Sequence, residues 1–91
     1  MSNEILNNNT INSLRDIIKK NLDEELFIPI SEIKDDDDLF VIGIDSLNII
    51  KIIIAIEVEF GIEFDDLDLK PENIGSLKSL ENYILNKTKS I

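Results

Sequence analysis

The alternation of apolar and polar positions divides the chain into helical stripes separated by one long irregular stretch. From Thr10 to about Leu22, Ile11, Leu14, Ile17, Ile18 and Leu22 recur at the spacing of one helical face, with Arg15, Asp16, Lys19 and Lys20 opposite. Thr10 or Asn9 suits the N-cap of this first helix. Ile5 and Leu6 would carry the stripe back to a start near Ser2; otherwise residues 1–9, with their asparagine run, form a loosely ordered extension. Residues 23–44 keep no helical period and hold Pro29, the aspartate run Asp35 to Asp38, and Gly43. A connection longer than about 12–15 residues with no structure of its own needs a reason to exist. Its apolar residues Phe27, Ile28, Ile30, Ile33, Leu39, Phe40 and Ile42 predict that it packs across the helices.

Asp45 opens a second helix that runs through Ser46 to about Phe60 and stops at Gly61, a residue suited to the left-handed turn that ends helices. At about 100° per residue, Ile49, Ile52, Ile53, Ile56 and Phe60 fall on one side of it and Leu47, Ile50, Lys51, Ile54 and Val58 on the other. Both sides are apolar. They could both be core, with the helix central. Against that, few helices remain to cover a second face, and Lys51 in its middle should reach solvent. An exposed apolar strip edged by Asp45, Glu57 and Glu59 is the form of a transient protein-docking surface. Further along, Pro71 suits the first turn of a short helix around Glu72, Asn73 and Ile74. Ser76 can cap a last helix to about Lys87, with Leu77, Leu80, Tyr83 and Ile84 facing inward. The predicted fold is all-α: a small bundle of three principal helices and one short one, with the long loop between helices one and two.

Composition narrows the chemistry. The 91 residues allow one domain, carry a net charge of −10, and include neither histidine nor cysteine. There is thus no imidazole base, disulfide, thiol nucleophile or Cys/His metal set. The acidity repels phosphate backbones and anionic lipid, so neither nucleic acid nor a membrane surface is expected as a partner. Basic protein surfaces are. The longest apolar stretch, Ile52 to Ile56, falls far short of the roughly 20 residues of a spanning helix, and the N-terminal residues do not read as a secretory signal. A cytoplasmic monomer is expected. The charge is also localised: residues 35–72 hold 12 acidic and two basic residues, which gives −10, and the flanks, with seven of each sign, are neutral.

That acidic segment contains Gly43, Asp45 and Ser46 at the mouth of the second helix. Asp45 or Ser46 could simply cap it, the commonest role of such residues there. A nucleophilic serine would need an adjacent base, and Lys51 lies more than one helical turn away. Ser46 could instead be a covalent attachment point modified by another enzyme. A phosphodiester there would meet unpaired N–H groups at the positive end of the helix dipole, and Gly43 would let a second protein approach closely.

The segment Leu39-Phe40-x-x-Gly43-x-Asp45-Ser46-Leu47 resembles the phosphopantetheine attachment motif of the acyl and peptidyl carrier protein family. The similarity extends over nearly the whole chain, including Glu59-Phe60-Gly61 at the end of the second helix and Tyr83-Ile84 in the last. The resemblance implies a single non-catalytic carrier domain over residues 1–91. Its Ser46 would receive 4′-phosphopantetheine from coenzyme A through a phosphopantetheinyl transferase, and the arm's thiol would hold an acyl or aminoacyl group as a thioester. Asp45 would help recruit the modifying enzyme. Leu47, Ile50 and Ile54 match the family's docking strip, and Asn48, Lys51 and Val58 complete the surface. The implied partners are that transferase, an adenylating or acyl-transferring enzyme, and condensing or tailoring enzymes.

Carriers of bacterial fatty acid synthesis are strongly acidic on this face, whereas the matching positions here are Asn48, Lys51 and Val58. The expectation is therefore a discrete carrier for a specialised pathway of peptide or polyketide type. A fatty-acid carrier or a D-alanyl carrier is the alternative within the family; an unmodified acidic helical adaptor is the alternative outside it. The aspartate run does not spell an EF-hand. Counted from Asp35, the sixth and twelfth positions are Phe40 and Ser46 in place of glycine and glutamate.

Overall fold

The computed structural model describes the backbone of residues 3–22 and 28–89 and the side chains of 10–22 and 28–88. Helix α1 spans Asn3–Leu22, α2 Ser46–Phe60, α3 Pro71–Ile74 and α4 Leu77–Lys89, with single 3₁₀ turns at Ile30–Glu32 and Asp66–Asp68. Among the described residues there is no strand, and the predicted all-α bundle with a long first loop is the observed one. No helix of the described residues is long and apolar enough to cross a membrane.

α2 has the bounds read from the sequence because both ends carry their own stop signals. The Asp45 carboxylate accepts the Asn48 N–H at 2.8 Å, and Gly61 closes the helix at φ 66° while donating its N–H to the Glu57 carbonyl. α1 starts earlier than the Thr10 reading. No glycine or proline interrupts residues 3–22, and asparagine inside a helix costs only about 0.7 kcal/mol relative to alanine, so the backbone continues to Asn3. Thr10 is accordingly a buried residue within α1 and not its cap; the start at Asn3 agrees with the alternative near Ser2, and residues 3–9 are helical where the other reading had a loosely ordered extension. In α4 the expected cap is present, the Ser79 N–H donating to Ser76 Oγ at 3.0 Å.

The core is built from Leu14, Ile17, Ile18 and Leu22 of α1, Ile49, Ile52, Ile53 and Ile56 of α2, Ile74 of α3 and Leu77, Leu80 and Ile84 of α4. Each fully buried side chain of this size stabilises the fold by about 1.5–3 kcal/mol. α1 packs against both α2 and α4, and α3 packs against α4. The long loop supplies Ile33, Leu39, Ile42 and Ile44 to the same core, with Ile28, Ile30 and Phe40 packed against it. Phe27, assigned the same role from the sequence, lies outside the described residues.

The loop is also pinned by polar contacts. The Leu39 N–H donates to the Gly75 carbonyl at 2.8 Å and the Lys78 N–H to the Asp35 carbonyl at 2.7 Å. Arg15 reaches across with two groups, Nη1 to the Ile30 carbonyl and Nη2 to Asp35 Oδ1, each at 3.0 Å. Gly75 has no room for a side chain: a Cβ there would lie 2.5 Å from the Pro71 carbonyl oxygen.

Candidate functional site

The approach to Ser46 is a tight turn. Val41 N–H donates to the Asp38 carbonyl at 3.1 Å, and Ile44 N–H to the Leu39 carbonyl at 3.1 Å. Between them Gly43 adopts φ 117°, a conformation that side-chain-bearing residues rarely take. The glycine is thus required by the backbone, whatever approaches from outside. Buried Leu39, Ile42 and Ile44 anchor the turn from beneath.

Ser46 is the first residue of α2, and its side chain is exposed. The two capping candidates are now distinguished. Asp45 performs the cap, so the Ser46 hydroxyl is not committed to it. The N–H groups of the first helical turn that the cap does not satisfy lie at the positive end of the α2 dipole, a setting that favours an attached phosphate. Beside the serine lies a depression of about 420 Å³ lined by Phe40, Ser46, Ile49, Ile50, Leu69, Pro71 and Ile74. No carboxylate or ammonium is among its lining residues.

The outer side of α2 is uncovered. Leu47, Ile54 and Val58 are 79%, 55% and 80% exposed and Ile50 is 43% exposed, with Lys51 exposed among them. Asn48 does not belong to this surface as the sequence reading had it. Only 9% of it is exposed, because it follows Asp45 by three residues and its position turns toward the buried side shared with Ile49 and Ile52. Two exposed apolar residues were not anticipated: Val41 in the turn before the serine, and Leu67, 88% exposed, between Asp66 and Asp68. An isolated leucine inside an acidic turn was the available signal for the latter.

Much of the local acidity serves the backbone. Asp37 Oδ2 accepts the Lys34 N–H, Asp38 Oδ1 the Phe40 N–H, and Glu57 Oε2 the Phe64 N–H, each at 2.9 Å. Asp35 and Asp45 are engaged as above, and Asp65 and Asp68 bind groups of α4. These contacts occupy seven of the 12 acidic residues of segment 35–72. Of these, only Asp45 was given a backbone role from the sequence, as a cap. Glu81 of α4 is a buried carboxylate that the sequence reading did not single out, and it pairs with Lys78 Nζ at 3.4 Å.

Around α4, the Tyr83 ring stacks on Phe64 with centroids 4.3 Å apart and planes 5° from parallel. Burial, then the hydrogen bond to Asp68, hold the Tyr83 hydroxyl above the usual tyrosine range. The hydrogen bond to Asp65 likewise raises Lys87.

A serine exposed at a helix start, beside an apolar depression and an uncovered apolar strip, is the arrangement of a carrier for a tethered group. Residues 12–84 match the family described as "Phosphopantetheine attachment site". The chain belongs to this family of carrier proteins, which are not enzymes and bear 4′-phosphopantetheine as prosthetic group. It is 33% identical over 76 residues to an acyl carrier protein of Nitratidesulfovibrio vulgaris (strain DP4), covering 82% of this chain and 97% of that one. To aminoacyl carrier protein 2 of Bradyrhizobium diazoefficiens it is 27% identical over 89 residues, covering 96% and 93%. Among solved structures it resembles a chain in the complex of an engineered Bradyrhizobium japonicum glycine:[carrier protein] ligase with a carrier protein from Agrobacterium tumefaciens and ATP. The TM-score is 0.72 at 29% identity, over 90% of this chain and 99% of that one.

The residues present fit the prosthetic group: the hydroxyl at 46 is exposed, the helix start favours its phosphate, and the lining of the depression is apolar enough for a pantetheine arm. When bound, the group supplies a thiol that holds a carboxylic acid as a thioester.

Proposed function

We propose that this chain is an aminoacyl carrier whose attachment residue is Ser46. The observation that carries the reading is the exposed Ser46 hydroxyl at the start of α2, spared from capping by Asp45 and adjoining the uncovered strip Leu47, Ile50, Ile54 and Val58. In the attachment step the Ser46 oxygen forms a phosphoester bond as the pyrophosphate link of coenzyme A breaks. Adenosine 3′,5′-bisphosphate leaves, and the serine proton passes to the transferase. The α2 strip docks the transferase and the enzyme that activates the amino acid, weakly enough for each to release it.

The aminoacyl reading is supported by the likeness to carriers seen with a glycine ligase and by the electrostatics of the strip. Of the four charged residues between 45 and 60, Asp45 and Glu57 are turned to backbone N–H groups; of the two that remain, Glu59 is exposed near the end of the helix and Lys51 is exposed among the apolar residues of the strip. A partner that reads a row of carboxylates would find a cation there. The pathway we infer is one of specialised synthesis, in the cytoplasm, with the carrier acting as a monomer.

The test is intact mass. Incubation with coenzyme A, Mg²⁺ and a broad-specificity phosphopantetheinyl transferase adds one phosphopantetheine, and Ser46→Ala abolishes the gain. The holo form, given ATP, single amino acids and a glycine:[carrier protein] ligase, then gains an aminoacyl mass that hydroxylamine removes. An unchanged mass with several transferases overturns the carrier reading in favour of an unmodified adaptor. Loading by acyl-transferring enzymes of fatty acid synthesis, and by no amino acid ligase, overturns the aminoacyl part alone.

A further inference from the structure

The connection between α2 and α3, residues 61–70, contains only one 3₁₀ turn, yet its Leu69 forms part of the wall beside Ser46. One side chain of α4 touches it at two points. The Tyr83 hydroxyl accepts the Asp65 N–H at 3.3 Å and donates to Asp68 Oδ2 at 2.8 Å, so one oxygen joins the two ends of the turn at Asp66–Asp68. Lys87 Nζ adds a contact to Asp65 Oδ2 at 3.3 Å and lies 5.5 Å from the centre of the Tyr83 ring. Asn73 Nδ2 donates to the Asp68 carbonyl at 2.9 Å, which ties the same turn to α3. Within the turn the Asp68 and Leu69 N–H groups donate to the Asp65 and Asp66 carbonyls at 2.9 and 3.3 Å.

We propose that Tyr83 is a positioning residue for the prosthetic arm: its hydroxyl latches the 61–70 connection to α4 and thereby holds Leu69 as the wall of the depression beside Ser46. The inference rests on the attachment reading above. Its distinctive element is control at a distance, since Tyr83 does not itself line the depression. Opening the latch loosens both ends of the turn together, because both ends share one oxygen, and leaves Asp65 to Lys87 and the Asp68 carbonyl to Asn73. The same event would move Leu67, which the turn displays to solvent.

The test uses Tyr83→Phe, which keeps the ring that stacks on Phe64 and removes only the hydroxyl, alongside Asp68→Asn, which keeps an acceptor, and Asp68→Ala, which does not. Amide hydrogen exchange is measured first on the unmodified protein. Tyr83→Phe and Asp68→Ala are expected to speed exchange at Asp65, Asp68, Leu69 and Lys70 at least tenfold while the amides of Ile52, Ile53 and Ile56 stay unchanged; Asp68→Asn stays near wild type. Exchange that is unchanged, or that rises equally throughout the molecule, overturns the latch. The second measurement compares amide chemical shifts before and after attachment of phosphopantetheine. Wild type is expected to shift at Ile50, Leu69 and Ile74, and Tyr83→Phe to lose more than half of those shifts at equal occupancy of Ser46. Equal shifts in the two proteins, or none in wild type, overturn the positioning role. Failure of the mass gain would instead overturn the attachment reading, which the exchange measurement on unmodified protein does not use.

Discussion

Ile52 and Ile54 stand two residues apart on α2, identical in chemistry, one wholly buried in the core and the other more than half exposed. The same contrast runs the length of the helix. Ile49, Ile53 and Ile56 belong to the core, while Leu47, Ile50 and Val58 face solvent. Hydrophobicity alone does not separate the two sets; the number of partners available to cover them does. α1 packs on one side of α2, within a core that α4 and the long loop complete, and no described element remains to cover the other. The uncovered side thus holds a store of unburied apolar area that a partner can exclude from water, at the helix that begins with Ser46.

Ile52→Ala is the largest expected perturbation of that contrast. It should cost about 2–5 kcal/mol in urea unfolding, the range for emptying a core position, out of the roughly 5–15 kcal/mol of a whole domain. Ile54→Asp on the other face should change stability by no more than about 0.5 kcal/mol. Its effect should fall on loading, where the kcat/KM of the activating enzyme drops by about 30-fold, the equivalent of one lost interface anchor of about 2 kcal/mol. If Ile54→Asp unfolds the protein or leaves loading intact, the two faces are not divided as described.

A smaller effect is expected at the residue where the two faces begin. Asp45→Ala removes the cap on Asn48 N–H and should cost about 1 kcal/mol in urea unfolding, whereas Asp45→Asn retains a capping oxygen and should cost only a few tenths. A loss of transferase kcat/KM in both variants would assign the carboxylate a recognition role beyond the cap. A loss in Asp45→Ala alone would make the cap sufficient.

The smallest effect is on pH dependence, and it asks whether the exposed face relies on its neighbours. Folding raises the Tyr83 pKa, so the folded state keeps its proton more tightly than the unfolded chain, whose tyrosine titrates near 10. The contribution is complete below that value and is lost as pH rises through the folded pKa. Lys87 shifts in the same direction and faces the same ring. Because the chain has one tyrosine and no tryptophan, phenolate absorbance reports Tyr83 alone. Its midpoint should lie above 10 in the folded protein and return toward 10 in urea and in Asp68→Ala. Amide shifts of residues 61–70 should follow that titration, with those of Ile52 and Ile56 unmoved.

How far this was legible in the sequence depended on whether the signal was local. Asp45 and Gly61 mark both ends of α2 because capping involves residues three or four apart. The start of α1 was ambiguous, since asparagine is poor both as a helix former and as a helix breaker. Asn48 was misplaced because its angular position falls between the two faces, where polarity is a weaker guide than packing. Asp45 was legible as a cap because a helix follows it, whereas Asp37 and Asp38, with no regular element to mark their role, accept backbone N–H groups from neighbours three and two residues away. The Tyr83 contacts join residues 15 and 18 positions apart, so no window along the chain contains them.

The loop before Ser46 has a consequence for reach. Its backbone is tied to Gly75 and to the first turn of α4, its Ile33, Leu39, Ile42 and Ile44 side chains lie in the core, and the turn at Gly43 leads straight into the capped helix. The serine is therefore a fixed pivot. Under the proposed attachment, a group tethered there would reach no further than the length of its tether from a point that does not move, and the active centre of a partner seated on α2 would have to lie within that reach. Distance, and not only surface chemistry, would then be a criterion for accepting or refusing an enzyme.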